Sequence, residues 1–250
     1  MNDGGVIEPT DYQIRAAIEV AQLIDAAGNS VADARDAYRH TLTLGEHTPR
    51  SLRGGEALLL RLGLLLEADG RLFPADTLVV LARVDDAAAA DLIRSRRRTV
   101  LAQELRELIG SAGENAVLSA CVDNLVALGR RDLADRVQQV SLVDDSLGYD
   151  IYAPSVTGSV RFLEVKTSGR SSAGAFTFYL SRNEYNVGRV NPNSWALVAC
   201  SWDGTEAQVV GWCRAVALTA YLPVDGSGRW TEALVCLPLT LLARGLPAAV

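Results

Sequence analysis

A chain of 250 residues with 49% hydrophobic content is long enough for one large domain or two small ones with packed cores. No apolar run approaches the roughly 20 residues that span a bilayer, and the N-terminus lacks a signal-peptide pattern, so we expect a cytoplasmic protein with no membrane partner. The net charge of −6 excludes attraction of nucleic acid by bulk charge, so any such binding needs a local patch. The four cysteines form no Cys-x-x-Cys pair, which argues against structural zinc and a disulfide framework.

The N-terminal part has the pattern of a helical domain. Apolar residues at helical spacing between positions 10 and 43 predict two helices, with a break at Gly28. Thr48 followed by Pro49 predicts the start of a third helix, which the apolar run at 57–66 continues. The stretch 67–74 then predicts a short hairpin or wing. This order resembles a winged-helix module.

The middle of the chain marks a change in character. Residues 85–108 predict one or two further helices that carry the densest basic cluster, and such a cluster is more often a solvated helix face than a phosphate contact. An amphipathic helix at 111–128 follows, and then strand-like runs. We therefore predict an α/β (α+β) fold, with a helical domain over 1–108 and a domain over 109–250 that has a mixed central sheet flanked by helices. The basic cluster consists of Arg94, Arg96, Arg97 and Arg98, and the strand-like runs lie at 137–143, 148–153, 160–167, 175–180, 195–201, 207–213 and 230–237.

One predicted strand carries a carboxylate beside the only lysine of the chain. Strand periodicity places Glu164 and Lys166 on one face, and Asp150 meets Glu164 if the two strands form a hairpin around 154–159. Converging carboxylates repel each other, and a divalent cation such as Mg²⁺ resolves that repulsion. Lys166 would then help to activate the attacking water and stabilise a phosphoryl transition state.

Each of these residues also has a plainer explanation, and Asp150 alone could be a turn residue after Gly148. Glu164 and Lys166 could form an ordinary ion pair on a solvent face, although the apolar flanks and the retention of a lysine where the other 23 basic residues are arginine favour a site. Glu114 could complete a capping box that begins at Ser111, could assist a metal site, or could do both. Glu184 fits a second capping box that begins at Ser181, and it could also line the cleft.

Taken together, these residues resemble a known superfamily. The order of a helix glutamate, an aspartate and then Glu-x-Lys is similar to the PD-(D/E)XK, or restriction-endonuclease-like, phosphodiesterases. Over roughly residues 111–215 the chain looks more narrowly like the domain named after the C-terminus of the plant protein NO VEIN, which is common in bacterial restriction and phage-defence proteins. The segments that carry this narrower resemblance are 148–151, 162–167 and 178–185. Tyr149 stands where the superfamily name has proline, although Gly-Tyr-Asp is the narrower family's own form.

The resemblance implies a role for each matching residue. Asp150, Glu164 and the Val165 carbonyl would bind Mg²⁺ or Mn²⁺, Lys166 would serve the attacking water, and Glu114 would be the auxiliary helix carboxylate. Further candidates for substrate contact are Tyr149, Ser168, Arg170, Arg182, Asn183 and Glu184.

The function expected from these residues is a magnesium-dependent endonuclease that hydrolyses DNA phosphodiester bonds in restriction or antiviral defence. The expected partners are DNA and the proteins of a defence complex, such as a helicase or a methyltransferase, with a homodimer left open. The alternative is a catalytically inactive nuclease-fold module that binds nucleic acid or scaffolds a larger defence complex. A small-molecule hydrolase is disfavoured because the sequence offers neither Gly-x-Ser-x-Gly nor a usable histidine base.

Overall fold

The computed structural model describes residues 8–39, 44, 46–68, 71–142, 144–169, 174–226 and 228–247. The chain divides into two compact units, Met1–Glu104 and Leu105–Val250. This division falls inside a long helix, as does the predicted boundary between residues 108 and 109. The elements combine helices with a mixed sheet, so the expected α/β (α+β) class is confirmed. No helix in these described ranges is both long enough and apolar enough to cross a membrane.

The first unit contains helices followed by a hairpin and further helices, which is the predicted order. Its elements are α1 (Asp11–Ala26), α2 (Val31–Arg39), α3 (Pro49–Arg61), β1 (Leu65–Ala68), β2 (Arg71–Pro74), α4 (Asp76–Arg83) and the first part of α5 (Asp86–Ala127). Strands β1 and β2 pair antiparallel as the predicted hairpin.

Local sequence explains where α3 begins and ends. Thr48 caps it as predicted, because the Thr48 hydroxyl accepts a hydrogen bond from the Ser51 N–H and Pro49 occupies the first turn. The helix ends at Arg61, earlier than the apolar run suggested. Gly63 adopts φ +63°, a left-handed conformation that glycine reaches without steric cost, and the chain then turns into β1.

A buried carboxylate lies among the helices of the first unit. Glu56 is 7% exposed and accepts hydrogen bonds from Arg35 Nε at 2.8 Å and from the Tyr38 hydroxyl at 2.7 Å. Burial acts to raise the pKa of Glu56, but these donors outweigh burial and the pKa lies below its ordinary value. The group therefore carries its charge inside the unit at neutral pH, with its partners in place.

The basic cluster at the start of α5 is engaged inside the first unit. Most of its guanidinium groups contact acidic side chains or a backbone carbonyl, which favours the structural explanation over phosphate binding. The contacts are Arg94 with Asp11 at 2.9 Å, Arg97 with Glu8 at 3.0 Å and Arg96 with the Leu62 carbonyl at 2.9 Å.

Helix α5 corrects the sequence-based prediction of separate helices. It runs without a break from Asp86 to Ala127, and Ser111 lies in its interior. The predicted capping box of Ser111 and Glu114 is therefore wrong, because interior helical N–H groups already donate to the preceding turn. Glu114 is left available for contacts outside the helix.

The described part of the second unit contains one five-stranded sheet in the order β3-β4-β5-β7-β8 and a separate pair, β6 with β9. Strands β5 and β7 are parallel and the other neighbours are antiparallel, so the predicted mixed sheet is confirmed. The strands are β3 (Gln138–Gln139), β4 (Ile151–Pro154), β5 (Val160–Ser168), β6 (Ala175–Ser181), β7 (Trp195–Trp202), β8 (Ala207–Cys213) and β9 (Glu232–Pro238). The helices are α6 (Arg131–Ala134), α7 (Arg182–Val190) and α8 (Ala215–Leu218), with 3-10 turns at Asp145–Leu147, Thr219–Tyr221 and Leu239–Leu241.

Both faces of β5 are covered. Leu163 and Val165 pack with Val117 and Cys121 of α5 on one face of the sheet. On the other face a second apolar cluster joins β7 to β6, β9 and Tyr185 of α7. A strand buried on both sides is a rigid support, and charged side chains on it need specific partners.

A glycine allows α5 to lie directly on β5. A Cβ built on Gly113 would stand 1.8 Å from Thr167 Oγ1, so a larger residue would force either the Thr167 side chain or the helix to shift. Glycine inside a helix costs about 1 kcal/mol relative to alanine, and here the cost is offset by close packing. The neighbouring residue, Glu114, is thereby brought to the end of β5 that carries Lys166.

Candidate active site

The predicted catalytic and metal-binding residues line a cleft of about 220 Å³. Four acidic side chains and one lysine line it, so the concentration of negative charge is high for so small a volume. The lining residues are Glu114, Ser141, Gly148, Tyr149, Asp150, Glu164, Val165, Lys166 and Glu184.

Asp150 lies where β4 stops pairing with β5. Strands β4 and β5 form the predicted hairpin, with Ile151 opposite Leu163, and the next step of this register places Asp150 opposite Glu164. Beyond this point no strand of the described residues pairs with Val165 on the β4 side, and the Asp150 carboxylate accepts the Val165 N–H at 2.7 Å. Because the N–H and C=O of one strand residue point to the same side, the Val165 carbonyl faces the same edge.

Glu164 and Lys166 share one face of β5, as the periodicity predicts. The Glu164 side chain is 3% exposed, and its Oε1 lies 2.7 Å from Lys166 Nζ. Lys166 Nζ also lies 3.0 Å from Glu184 Oε2. The ion pair is therefore buried rather than spread on a solvent face, and the ammonium is held by two carboxylates.

Glu184 combines the two roles that the sequence left open. The capping box at the start of α7 is confirmed, because Ser181 Oγ accepts the Glu184 N–H and Glu184 Oε2 accepts the Ser181 N–H at 2.9 Å. The same carboxylate oxygen contacts Lys166. The start of α7 is thus tied to the cleft through one carboxylate.

Glu114 is oriented by two residues that the sequence did not single out. Its Oε2 accepts hydrogen bonds from Gln139 Nε2 at 2.7 Å and from Ser141 Oγ at 2.6 Å. Gln139 belongs to the short edge strand β3 and Ser141 follows it. Both are neutral polar residues with no motif around them, and only the pairing of β3 with β4 would have pointed to them.

The charges in the cleft shift the ionisation of its members. Burial raises the pKa of Asp150 to about 7. The hydrogen bond from the Val165 N–H acts to lower this pKa, and the negative charge of Glu114 raises it further. Burial likewise raises the pKa of Glu164 well above its ordinary value, against the nearby Lys166 ammonium. Burial acts to lower the pKa of Lys166, but Glu164 and Glu184 outweigh it and raise that pKa above its usual range. Lys166 is therefore protonated at neutral pH.

Some candidate residues lie away from the cleft lining. The Arg182 guanidinium packs 4.2 Å from the Trp230 ring and pairs with Asp225. Asn183 donates a hydrogen bond to the Ser146 carbonyl at 2.7 Å. Ser168 is the last residue of β5 and does not line the described cleft, whereas Tyr149 does. Arg170 lies outside the described residues.

The chemistry of the lining suits a hard divalent cation. Asp150 and Glu164 offer carboxylate oxygens and Val165 a carbonyl oxygen, and Mg²⁺ takes a few such ligands together with water and substrate oxygens. Both carboxyls have raised pKa values because each is buried near other negative charge, and a cation would relieve this. Among the described residues no three acidic, histidine or cysteine side chains already converge as a complete cation cage. The residues thus fit a site in which the protein supplies only a few of the cation's ligands and in which water and substrate oxygens supply the others.

Comparison with known protein families gives a match that covers the cleft. The family described as "Protein NO VEIN, C-terminal" matches residues 113–211, from Gly113 on α5 to Gly211 within β8. This range contains the predicted catalytic residues and every residue that lines the cleft. No curated protein and no solved structure matched the chain.

Proposed function

We propose that this protein is a magnesium-dependent nuclease of the PD-(D/E)XK type that hydrolyses DNA phosphodiester bonds in restriction or phage defence. The observation that carries the proposal is the cleft in which Asp150 and Glu164 meet at the edge of a buried strand, beside the single lysine. The match to the NO VEIN C-terminal family over 113–211 agrees with the resemblance from which this function was expected.

The charge of the cleft argues for a cation before any phosphate can enter. Glu114, Asp150, Glu164 and Glu184 line the cleft together with a single ammonium, so a phosphodiester would meet net repulsion in the cation-free cleft. The net charge of −6 does not offset this repulsion. A divalent cation between Asp150 and Glu164 would offset two of these negative charges and would offer a positive centre to a phosphate oxygen.

Asp150, Glu164 and the Val165 carbonyl would hold the cation. When bound, the cation supplies positive charge that polarises the scissile phosphate and lowers the cost of forming the nucleophile. The rigidity of β5 matters here, because Glu164 and Val165 lie on a strand packed on both faces and need little reorganisation.

Lys166 would act as a fixed positive charge. In the cation-free cleft its raised pKa keeps it protonated at neutral pH, so the contribution we propose is electrostatic. The ammonium can stabilise the extra negative charge that develops on the phosphoryl oxygens and can orient the attacking water by donating hydrogen bonds. Glu114, aligned by Gln139 and Ser141, can accept a hydrogen bond from a water on the opposite side of the cleft.

The test is cleavage by the purified full chain. Supercoiled plasmid DNA incubated with Mg²⁺ or Mn²⁺ should be nicked, EDTA should stop the reaction, and Asp150→Asn and Lys166→Met should abolish it while circular dichroism stays unchanged. Retention of full activity by Asp150→Asn would reject the site. Linear, single-stranded and RNA substrates in the same assay determine the nucleic acid that is preferred.

A second candidate function follows from the way Lys166 is already engaged. An ammonium neutralised by Glu164 and Glu184 can be a purely structural element of an inactive nuclease-fold module, which binds nucleic acid or scaffolds a defence complex. In that case the chain neither binds Mn²⁺ nor cuts any nucleic acid, alone or with a helicase or methyltransferase encoded beside it. Sedimentation of the chain with and without DNA would test both the DNA partner and whether the chain forms a homodimer.

A further inference from the structure

Glu184 caps α7 and also contacts Lys166 in the cleft. The inference drawn from this second contact rests on the proposed function, in which the cleft binds a cation. Glu164 and Glu184 both contact Lys166 Nζ, at 2.7 Å and 3.0 Å. A cation bound to the Glu164 carboxylate would repel the ammonium that lies 2.7 Å from Oε1 and would weaken its pairing with Glu164. Lys166 is only 19% exposed, so an ammonium released from Glu164 would be left largely without water.

We propose that Glu184 is a positioning residue that retains the Lys166 ammonium inside the cleft while Glu164 turns to the cation. Glu184 is 20% exposed and its carboxylate accepts the Ser181 N–H at 2.9 Å, so it offers a second, already positioned anionic partner for the lysine. When Glu164 binds the cation, Lys166 then keeps Glu184 as a partner. Without Glu184, the ammonium would lose its last carboxylate.

The capping box supplies an unusually clean variant. Glutamine works at the third position of a capping box as glutamate does, so Glu184→Gln should keep the α7 cap and remove only the negative charge that faces Lys166. Ser181→Ala does the reverse, because it weakens the cap and leaves the Glu184 charge in place. A residue that serves only as a cap would make Ser181→Ala the more harmful change in every measurement.

Loss of any negative charge lowers cation affinity to some extent, so a matched acidic control is needed. Glu114→Gln removes a carboxylate from the same cleft, but Glu114 is bound to Gln139 and Ser141 rather than to the lysine. The two glutamine variants therefore share the general electrostatic effect and differ in the contact with Lys166.

The experiment is calorimetric titration of Mn²⁺ into the full chain without DNA. We expect Glu184→Gln to weaken Mn²⁺ binding about tenfold more than Glu114→Gln does. When each of these changes is combined separately with Lys166→Met, we expect the two double variants to bind Mn²⁺ equally well. Thermal unfolding without metal should be nearly unchanged for Glu184→Gln and lowered for Ser181→Ala.

The outcomes separate the two proposals. Equal losses for Glu184→Gln and Glu114→Gln, or an excess that persists in the Lys166→Met background, overturn the positioning role while the nuclease proposal stands. Absence of Mn²⁺ binding and of cleavage by the unaltered chain overturns both.

Discussion

The Asp150 carboxylate accepts the Val165 backbone N–H at 2.7 Å, at the edge where β5 continues past the end of its pairing with β4. At this edge the Asp150 side chain provides the hydrogen-bond acceptor that the backbone of a neighbouring strand would otherwise provide. The same carboxylate is therefore both a structural acceptor and the leading candidate for a cation ligand, and substitutions can separate the two roles.

Asp150→Asn and Asp150→Ala should differ in stability although both lose the charge. Asparagine keeps an oxygen that can accept the Val165 N–H and removes a buried charge, so we expect it to be at least as stable as the unaltered chain at pH 8. Alanine leaves the Val165 N–H unpaired, so the free energy of unfolding of Asp150→Ala should be about 1–3 kcal/mol lower than that of Asp150→Asn. Urea unfolding in EDTA, followed by tryptophan fluorescence, measures this, because all four tryptophans lie in the second unit. Equal stability of the two variants would contradict the structural role.

Gly113→Ala should destabilise the second unit even though alanine is the better helix former. The added Cβ would stand 1.8 Å from Thr167 Oγ1, and such overpacking typically costs about 1–3 kcal/mol. Gly110→Ala in the same helix meets nothing within 4 Å and should instead stabilise by about 0.5–1 kcal/mol. Urea denaturation of the two variants side by side is the measurement, and a stable Gly113→Ala variant would mean that α5 does not approach β5 so closely.

Acid should destabilise the first unit through Glu56. The pKa of Glu56 is lowered in the folded state, so its contribution is fully present above the ordinary value of 4.5 and is lost as the pH falls through the folded pKa. Glu56→Gln should lower stability at pH 7 by about 1–3 kcal/mol and flatten the pH dependence below pH 4.5. Circular dichroism during acid titration checks this. Glu46→Gln, which breaks the exposed pair with Arg15, is the control and should leave the titration curve nearly unchanged.

Ser141→Ala should reduce DNA cleavage severalfold if Glu114 assists the reaction, because Glu114 Oε2 would lose one of its two donors. In a Glu114→Gln background the same change should have little further effect, since residues that act through one another are not additive. Single-turnover rates with Mg²⁺ provide the comparison. If Ser141→Ala lowers the cleavage rate as much in the Glu114→Gln background as in the unaltered chain, Ser141 acts independently of Glu114.

Patterns that depend on nearby residues were predictable from the sequence. The alternation that puts Glu164 and Lys166 on one face of β5 follows from strand geometry alone, and the cap formed by Ser181 and Glu184 needs only a spacing of three residues. The hairpin between β4 and β5 was also accessible, because a short turn segment connects two apolar runs.

Features that depend on distant residues were not predictable. Ser111 looked like a cap because the sequence could not show that α5 continues through it. Arg182 looked like a cleft residue because nothing local indicates that its guanidinium packs on Trp230, far along the chain. Gln139 and Ser141 were missed because their importance comes only from the approach of Glu114 across the fold.

The alternation along β5 also protects the site against misfolding. A slip of one residue in the pairing of β5 would turn Glu164 and Lys166 toward α5 and would send Leu163 and Val165 toward the cleft. Such a state would bury two charges in an apolar layer, so it could not compete with the native register. The apolar residues of the strand thus specify the placement of the charged ones, and a chain that folds here at all must assemble its cleft in the correct register.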